Sequence, residues 1–210
     1  MFPPFTAAHR WINEPSRHCI RADTCSITTE PGTDFWQRTY YGFRNTNAHG
    51  LLFSYEDNLT FSVEALFAYQ RQFDQCGVLV WIDEENWFKA SVEHETDEVA
   101  RLGSVVTNHG HSDWATTDVA PVHRIRYRLS RRGPDFLIES SLDGPHYRQM
   151  RIFHLAALGD TTPEMAKSDP PLSPEQPIEL GVYACSPLDS SFEAVFQDPL
   201  LTACQWEPHR

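Results

Sequence analysis

The 210-residue sequence is poor in glycine, poor in basic side chains and free of long apolar runs, and each shortage closes a class of function. With 10 glycines and no Gly-x-Gly-x-x-Gly, it lacks the loop whose bare backbone approaches a dinucleotide's phosphates, so no nucleotide or other cofactor is expected. A Gly-x-Ser-x-Gly elbow is missing too. The one Cys beside a His, Cys19 after His18, has that His on the opposite strand face, so no activated nucleophile is evident. Basic residues number 17 against 29 acidic, a formal charge of -12. Such a surface repels phosphate backbones and anionic lipid, which argues against nucleic acid or a membrane as partner. The longest apolar run, Cys76 to Ile82, is far too short to span a bilayer. The opening MFPPFTAAHR has neither the basic start nor the apolar stretch of a secretory leader. The five cysteines are scattered without a Cys-x-x-Cys pair, and Cys19 and Cys25, read on one strand, stand too far apart to bond. Free thiols without a leader make a reducing, cytoplasmic compartment the expectation.

What is present is the material of a folded core: 40% apolar residues, with 6 Trp, 7 Tyr and 13 Phe. Its dominant rhythm has a period of two. Leu59, Phe61, Val63, Ala65 and Phe67 alternate with polar neighbours, and Val78, Val80 and Ile82 form the next inward row. The polar tip Asp83-Glu84-Glu85-Asn86 then leads into Trp87 to His94, which reads as a hairpin. Further strands are expected near 19–29, 99–107, 122–130, 136–141, 147–153, 178–184 and 192–197. Antiparallel strands without intervening helices predict an all-β sandwich of two packed sheets. Residues 159–177 carry five prolines and no alternation, and read as a long surface loop. Too few residues follow it to build a separate core, so 1–210 is read as one domain.

Alternation also sorts the polar residues by face. Phe88, Ala90 and Val92 point to the core, which puts Trp87, Lys89 and Glu93 together on the opposite face. An indole, an ammonium and a carboxylate in one row suit a polyhydroxyl ligand, the ring stacking and the charged groups bonding hydroxyls; an ordinary polar sheet face would look similar. In the next arginine-rich strand, Ile125, Tyr127 and Leu129 face one way and Arg124, Arg126 and Arg128 the other. Three guanidiniums on one face need anions, either carboxylates such as Glu93, Glu139 or Asp113, or an anionic ligand. The segment Asn108-His109-Gly110-His111-Ser112-Asp113-Trp114 reads as a bend that places Asp113 and Trp114 at a cleft rim, or as a turn closed by Ser112 and Asp113. Its two histidines lack a third ligand at a usual spacing, so no metal is assigned.

In chain order the sequence carries Asp34-Phe35-Trp36, Phe73-Asp74-Gln75-Cys76-Gly77, Trp87-Phe88-Lys89-Ala90-Ser91-Val92-Glu93, Ser112-Asp113-Trp114 and Ser141-Leu142-Asp143-Gly144. From about Trp11 to the C-terminus it thereby resembles a family of domains of unknown function with a concanavalin A-like lectin/glucanase fold, whose fungal members are described as regulators of enolase. It departs from the usual pattern at Ser91, where a Gly is common, and conservatively at Phe73. The resemblance implies a jelly-roll β-sandwich, a cytoplasmic protein without an established activity of its own, and a concave sheet able to hold carbohydrate. Its motif positions here are Asp34, Trp36, Gln75, Trp87, Lys89, Glu93, Asp113 and Trp114, with Asp74 and Asp143 read as turn residues.

Three functions follow as expectations. The first is a non-catalytic module binding a carbohydrate or sugar phosphate, through Gln75, Trp87, Lys89, Glu93, Asp113, Trp114, Arg124 and Arg126, in the regulation of sugar metabolism. The second is a glycoside hydrolase with Glu93 and Asp113 as its carboxyl pair, Glu93 being held low by Lys89. The third is a protein-interaction module touching a glycolytic enzyme, with the proline-rich loop setting specificity.

Overall fold

The computed structural model describes residues 5, 7–169 and 171–207. Its strands run β1 (Arg10–Ile12), β2 (His18–Ile20), β3 (Thr24–Thr28), β4 (Phe35–Gln37), β5 (Arg44–Thr46), β6 (His49–Tyr55), β7 (Leu59–Phe67) and β8 (Gln75–Asp83). They continue with β9 (Asn86–His94), β10 (Ala100–Asn108), β11 (His111–Val119), β12 (Arg124–Arg132), β13 (Asp135–Ser141), β14 (Arg148–His154), β15 (Ile178–Cys185) and β16 (Glu193–Ala203). Two seven-stranded antiparallel sheets result, ordered β1-β6-β15-β8-β9-β10-β11 and β14-β13-β12-β7-β16-β3-β2. The all-β sandwich read from alternation is therefore the fold.

The sheets enclose one large apolar cluster. It takes Val78, Val80, Phe88, Ala90 and Val92 from the first sheet and Phe61, Val63, Ile125, Tyr127 and Leu129 from the second. These are the inward rows that a period of two selects.

A second apolar cluster lies on the other side of the first sheet, where alternation alone would put solvent. Leu79, Trp81, Trp87, Val105 and Tyr183 there are sealed by Phe35 and Trp36. These two come from a separate two-stranded ribbon, β4 with β5. Phe35 lies 5.4 Å from Trp81 and 5.8 Å from Trp87 between ring centroids. The ribbon turns on Arg38, Tyr40 and Gly42, all at positive φ, so its tip is tight and pushes aromatic rings outward.

Two local readings change. Residues 18–28 form a hairpin instead of one strand, with Cys19 opposite Ser26 and Ile20 opposite Cys25; both cysteines stay free. The proline-rich stretch is not uniformly loop, since Pro163–Lys167 forms a short helix, α1, capped where Met165 N–H donates to the Thr162 hydroxyl at 3.2 Å. Arg131 and Arg132 tie the stretch down through the carbonyls of Gln176 and Ser168. Pro170 and most of the first six residues lie outside the described residues. Among the described residues no helix is long and apolar enough to cross a membrane.

Candidate functional site

Where the β4–β5 ribbon stops covering the first sheet, a cavity of about 400 Å³ opens on the sheet's outer face. Its aromatic walls are Trp36, Tyr41, Phe43, Phe73 and Trp114, and its polar floor is Asp34, Gln75, Lys89, Ser91 and Glu93. The floor exists because Gln75 and Glu93 sit opposite each other in the β8–β9 register, as do Gly77 and Ser91. Trp36 meets Tyr41 at 5.5 Å and Trp114 at 6.4 Å, both edge-on, so the walls are braced against one another.

The floor's hydrogen bonds are directional. The Tyr183 hydroxyl donates to Gln75 Oε1 at 2.9 Å, which turns the Gln75 amide nitrogen toward Glu93 Oε2 at 2.8 Å. Lys89 Nζ donates to Asp34 Oδ1 at 3.0 Å and stands 5.7 Å above the Tyr183 ring. Arg101 lines the cavity, pairs with Glu95 at 3.2 Å and lies 5.7 Å over the Trp114 ring. Glu93 Oε1 is buried without a hydrogen-bond partner.

The charges follow from these contacts. Burial is the strongest influence on Lys89 and pulls its pKa down, but Asp34, with Cys185 and Glu93, outweighs it and holds the ammonium above its ordinary value. Burial pushes the Glu93 carboxyl up to about 7; Lys89 and Arg101 pull it down, while Asp34 and Glu95 push with burial. The expectation that Lys89 holds Glu93 low is thus corrected: the ammonium is committed to Asp34, and desolvation wins.

This raised carboxyl has a consequence for stability. Between its ordinary 4.5 and about 7, the native state holds a proton that the unfolded chain has released. Stability therefore falls as pH rises through that window and levels off above it. Glu93→Gln should flatten the decline and exceed wild type above pH 7 by a few kcal/mol, at ~1.4 kcal/mol per pKa unit. Urea unfolding of both proteins at pH 5 and pH 8 checks it, equal pH slopes being the contrary result.

The sequence-predicted residues divide into two groups. Gln75, Lys89, Glu93 and Trp114 converge on the cavity together with Asp34 and Trp36. Trp87 shares their face but is 0% exposed beneath Phe35, so it cannot stack on a ligand; alternation predicts a side, not what covers it. Asp113 is corrected as well. Opposite Val106 in register, it points to the other side of β11, bonds Arg151 at 2.9 Å and lines a separate cavity of about 360 Å³. Arg124 and Arg126 belong to the second sheet, away from the cavity. Arg126 pairs with Glu64 at 3.2 Å and Asp198 at 3.4 Å, and the neighbouring Arg128 with Glu139 at 2.7 Å, so these two arginines are balanced by protein carboxylates while Arg124 is exposed. Asp74 and Asp143 are turn residues: Asp74 accepts from the Gln70 and Arg71 amides, and Asp143 from Ser141 and His146. Sequence reasoning missed Tyr41, Phe43 and Arg101. The aromatic run Tyr40-Tyr41-Gly42-Phe43 around a turn glycine was the available signal for the first two.

Residues 11–204 match the family described as protein of unknown function (DUF1349). The chain belongs to that family. A relative at the sequence level, Regulation of enolase protein 1 of Saccharomyces cerevisiae, is 38% identical over 106 residues. The match covers 50% of this chain and 52% of that protein, so the similarity spans about half of each. A crystal structure of a functionally unknown protein from Saccharomyces cerevisiae superposes with a TM-score of 0.80 at 27% identity, covering 94% of this chain and 97% of that one. A GH43 protein from Bacillus licheniformis superposes at 0.64 with 13% identity, over 87% of this chain and 33% of that one, a likeness of fold alone.

Proposed function

We propose that this DUF1349 chain is a non-catalytic carbohydrate-binding module with a regulatory role in sugar metabolism, its ligand held in the outer-face cavity. The observation that carries the reading is the combination of aromatic walls with a buried, hydrogen-bonded polar floor, which offers ring surface to a sugar's apolar face and polar groups to its hydroxyls. The relative named for regulation of enolase supports the regulatory half, with that glycolytic enzyme as the target the ligand would govern. Turnover by Glu93 and Asp113 is not part of the reading, because the two carboxyls line different cavities.

Trp114 tests the proposal. It is 37% exposed on the edge strand, so Trp114→Ala should cost about 1 kcal/mol or less of stability. Thermal unfolding is followed with glucose, glucosamine and glucose 6-phosphate in turn. At least one should raise the wild-type melting temperature, and Trp114→Ala should abolish the rise. No rise with any of them overturns the proposal, and an undiminished rise in Trp114→Ala places the ligand elsewhere.

A further inference from the structure

Resting on that reading, the charges around the cavity narrow the ligand's class. Lys89 is paired with Asp34 and Arg101 with Glu95, so the charge of each cation is already balanced by a protein carboxylate. Counted together, Asp34, Glu93 and Glu95 exceed Lys89 and Arg101 by one negative charge when Glu93 is ionised. The excess resides at Glu93, whose Oε1 has no partner, while Glu95 Oε2 nearby is equally unpartnered. Ring faces among the surrounding aromatic walls favour a cation. A phosphorylated sugar would add its own charge, about one to two negative units, to that excess. A neutral sugar would leave the imbalance in place.

We propose that the cavity selects an amine-bearing sugar or similar polyhydroxyl amine, whose ammonium lies between the aromatic walls beside Glu93 and supplies the missing positive charge. No covalent bond of the ligand is made or broken; the one chemical change is that the Glu93 carboxyl gives up its proton to solvent as the ammonium arrives. Facing that carboxyl are Lys89 on its own strand, Arg101 on β10, Gln75 on β8, Tyr183 and Cys185 on β15, Asp34 at the start of the ribbon, and Glu95. Of these charged partners, each ammonium or guanidinium already has its carboxylate, so Glu93 is the group an arriving cation ionises.

Calorimetric titration with glucosamine, glucose and glucose 6-phosphate at pH 6 and pH 8 decides the matter. Glucosamine should bind roughly tenfold more tightly than glucose, the scale of one desolvated cation contact. Its advantage should grow from pH 6 to pH 8 as Glu93 ionises, although the sugar's own amine begins to lose its proton there. Choline, whose charge is independent of pH, serves as the reference and should gain affinity over the same interval. Glu93→Gln keeps the side-chain shape and should erase both the advantage and the pH dependence. Glucose binding as tightly as glucosamine, or glucose 6-phosphate binding tightest, overturns the amine inference and leaves carbohydrate binding standing. Failure of all three sugars overturns both.

Discussion

Trp87→Ala is expected to cost about 3–5 kcal/mol of stability, the range for emptying a large aromatic site in a core. The indole is fully buried, faces Trp81 across the β8–β9 pair, is covered on its outer side by Phe35 and donates to the Glu84 carbonyl at 3.3 Å. Removing it undermines the seat of the ribbon, and with it the Trp36 wall of the cavity. Urea unfolding measures the effect directly, with Trp114→Ala as the matched control on the same face. A loss below about 1 kcal/mol for Trp87→Ala would mean that the ribbon does not seal the indole. The contrast between the two tryptophans separates a packing residue from a cavity wall. A lost ligand response in Trp87→Ala would follow from the displaced ribbon without any contact between that indole and a sugar.

Asp34→Ala should be comparably severe. Lys89 is 4% exposed and has Asp34 as its carboxylate partner, so the substitution leaves a buried ammonium without a counter-ion, typically worth about 3–5 kcal/mol. The same Asp34 Oδ1 accepts the Phe35 N–H at 2.7 Å, which fixes the start of the ribbon. Adding Lys89→Met removes the stranded charge, so the double variant should be more stable than Asp34→Ala alone. A double-mutant cycle that sums without coupling would show that the pair is not energetically linked. Loss of Asp34 also removes a carboxylate that pushes Glu93 upward, so Glu93 should titrate below 7 in that variant. Following the Glu93 carboxyl by NMR reads the shift.

The two substitutions bracket what was legible. Sandwich architecture and inward rows could be read because burial of one sheet face imposes a period of two, and Leu59–Phe67, Val78–Ile82 and Trp87–His94 carry it plainly. Strand β6 was missed because His49-Gly50-Leu51-Leu52-Phe53 is buried on both faces and shows no alternation. At the site, Lys89 and Glu93 were grouped correctly by parity and Gln75 and Trp114 by the family motif, and the structure brings all four to one cavity. Asp113 failed on parity: it neighbours Trp114, so the two must point to opposite sides of β11. The arginines failed on topology, since nothing local says that β12 pairs with β7 in the other sheet and meets Glu64; of the carboxylates expected opposite the row, Glu139 does pair with Arg128.

Sequence alone thus determined the two-sheet sandwich, the inward rows and the side of β9 on which Lys89 and Glu93 stand, because each follows from chain geometry over a few residues. Tertiary structure decided depth and company. Only the folded chain brings residues 34–46 over the first sheet, so that Phe35 buries Trp87, Asp34 takes the Lys89 ammonium, and desolvation keeps a proton on Glu93 near neutrality. Those outcomes depend on dielectric and charge contributed by segments distant in sequence, and no local pattern encodes them.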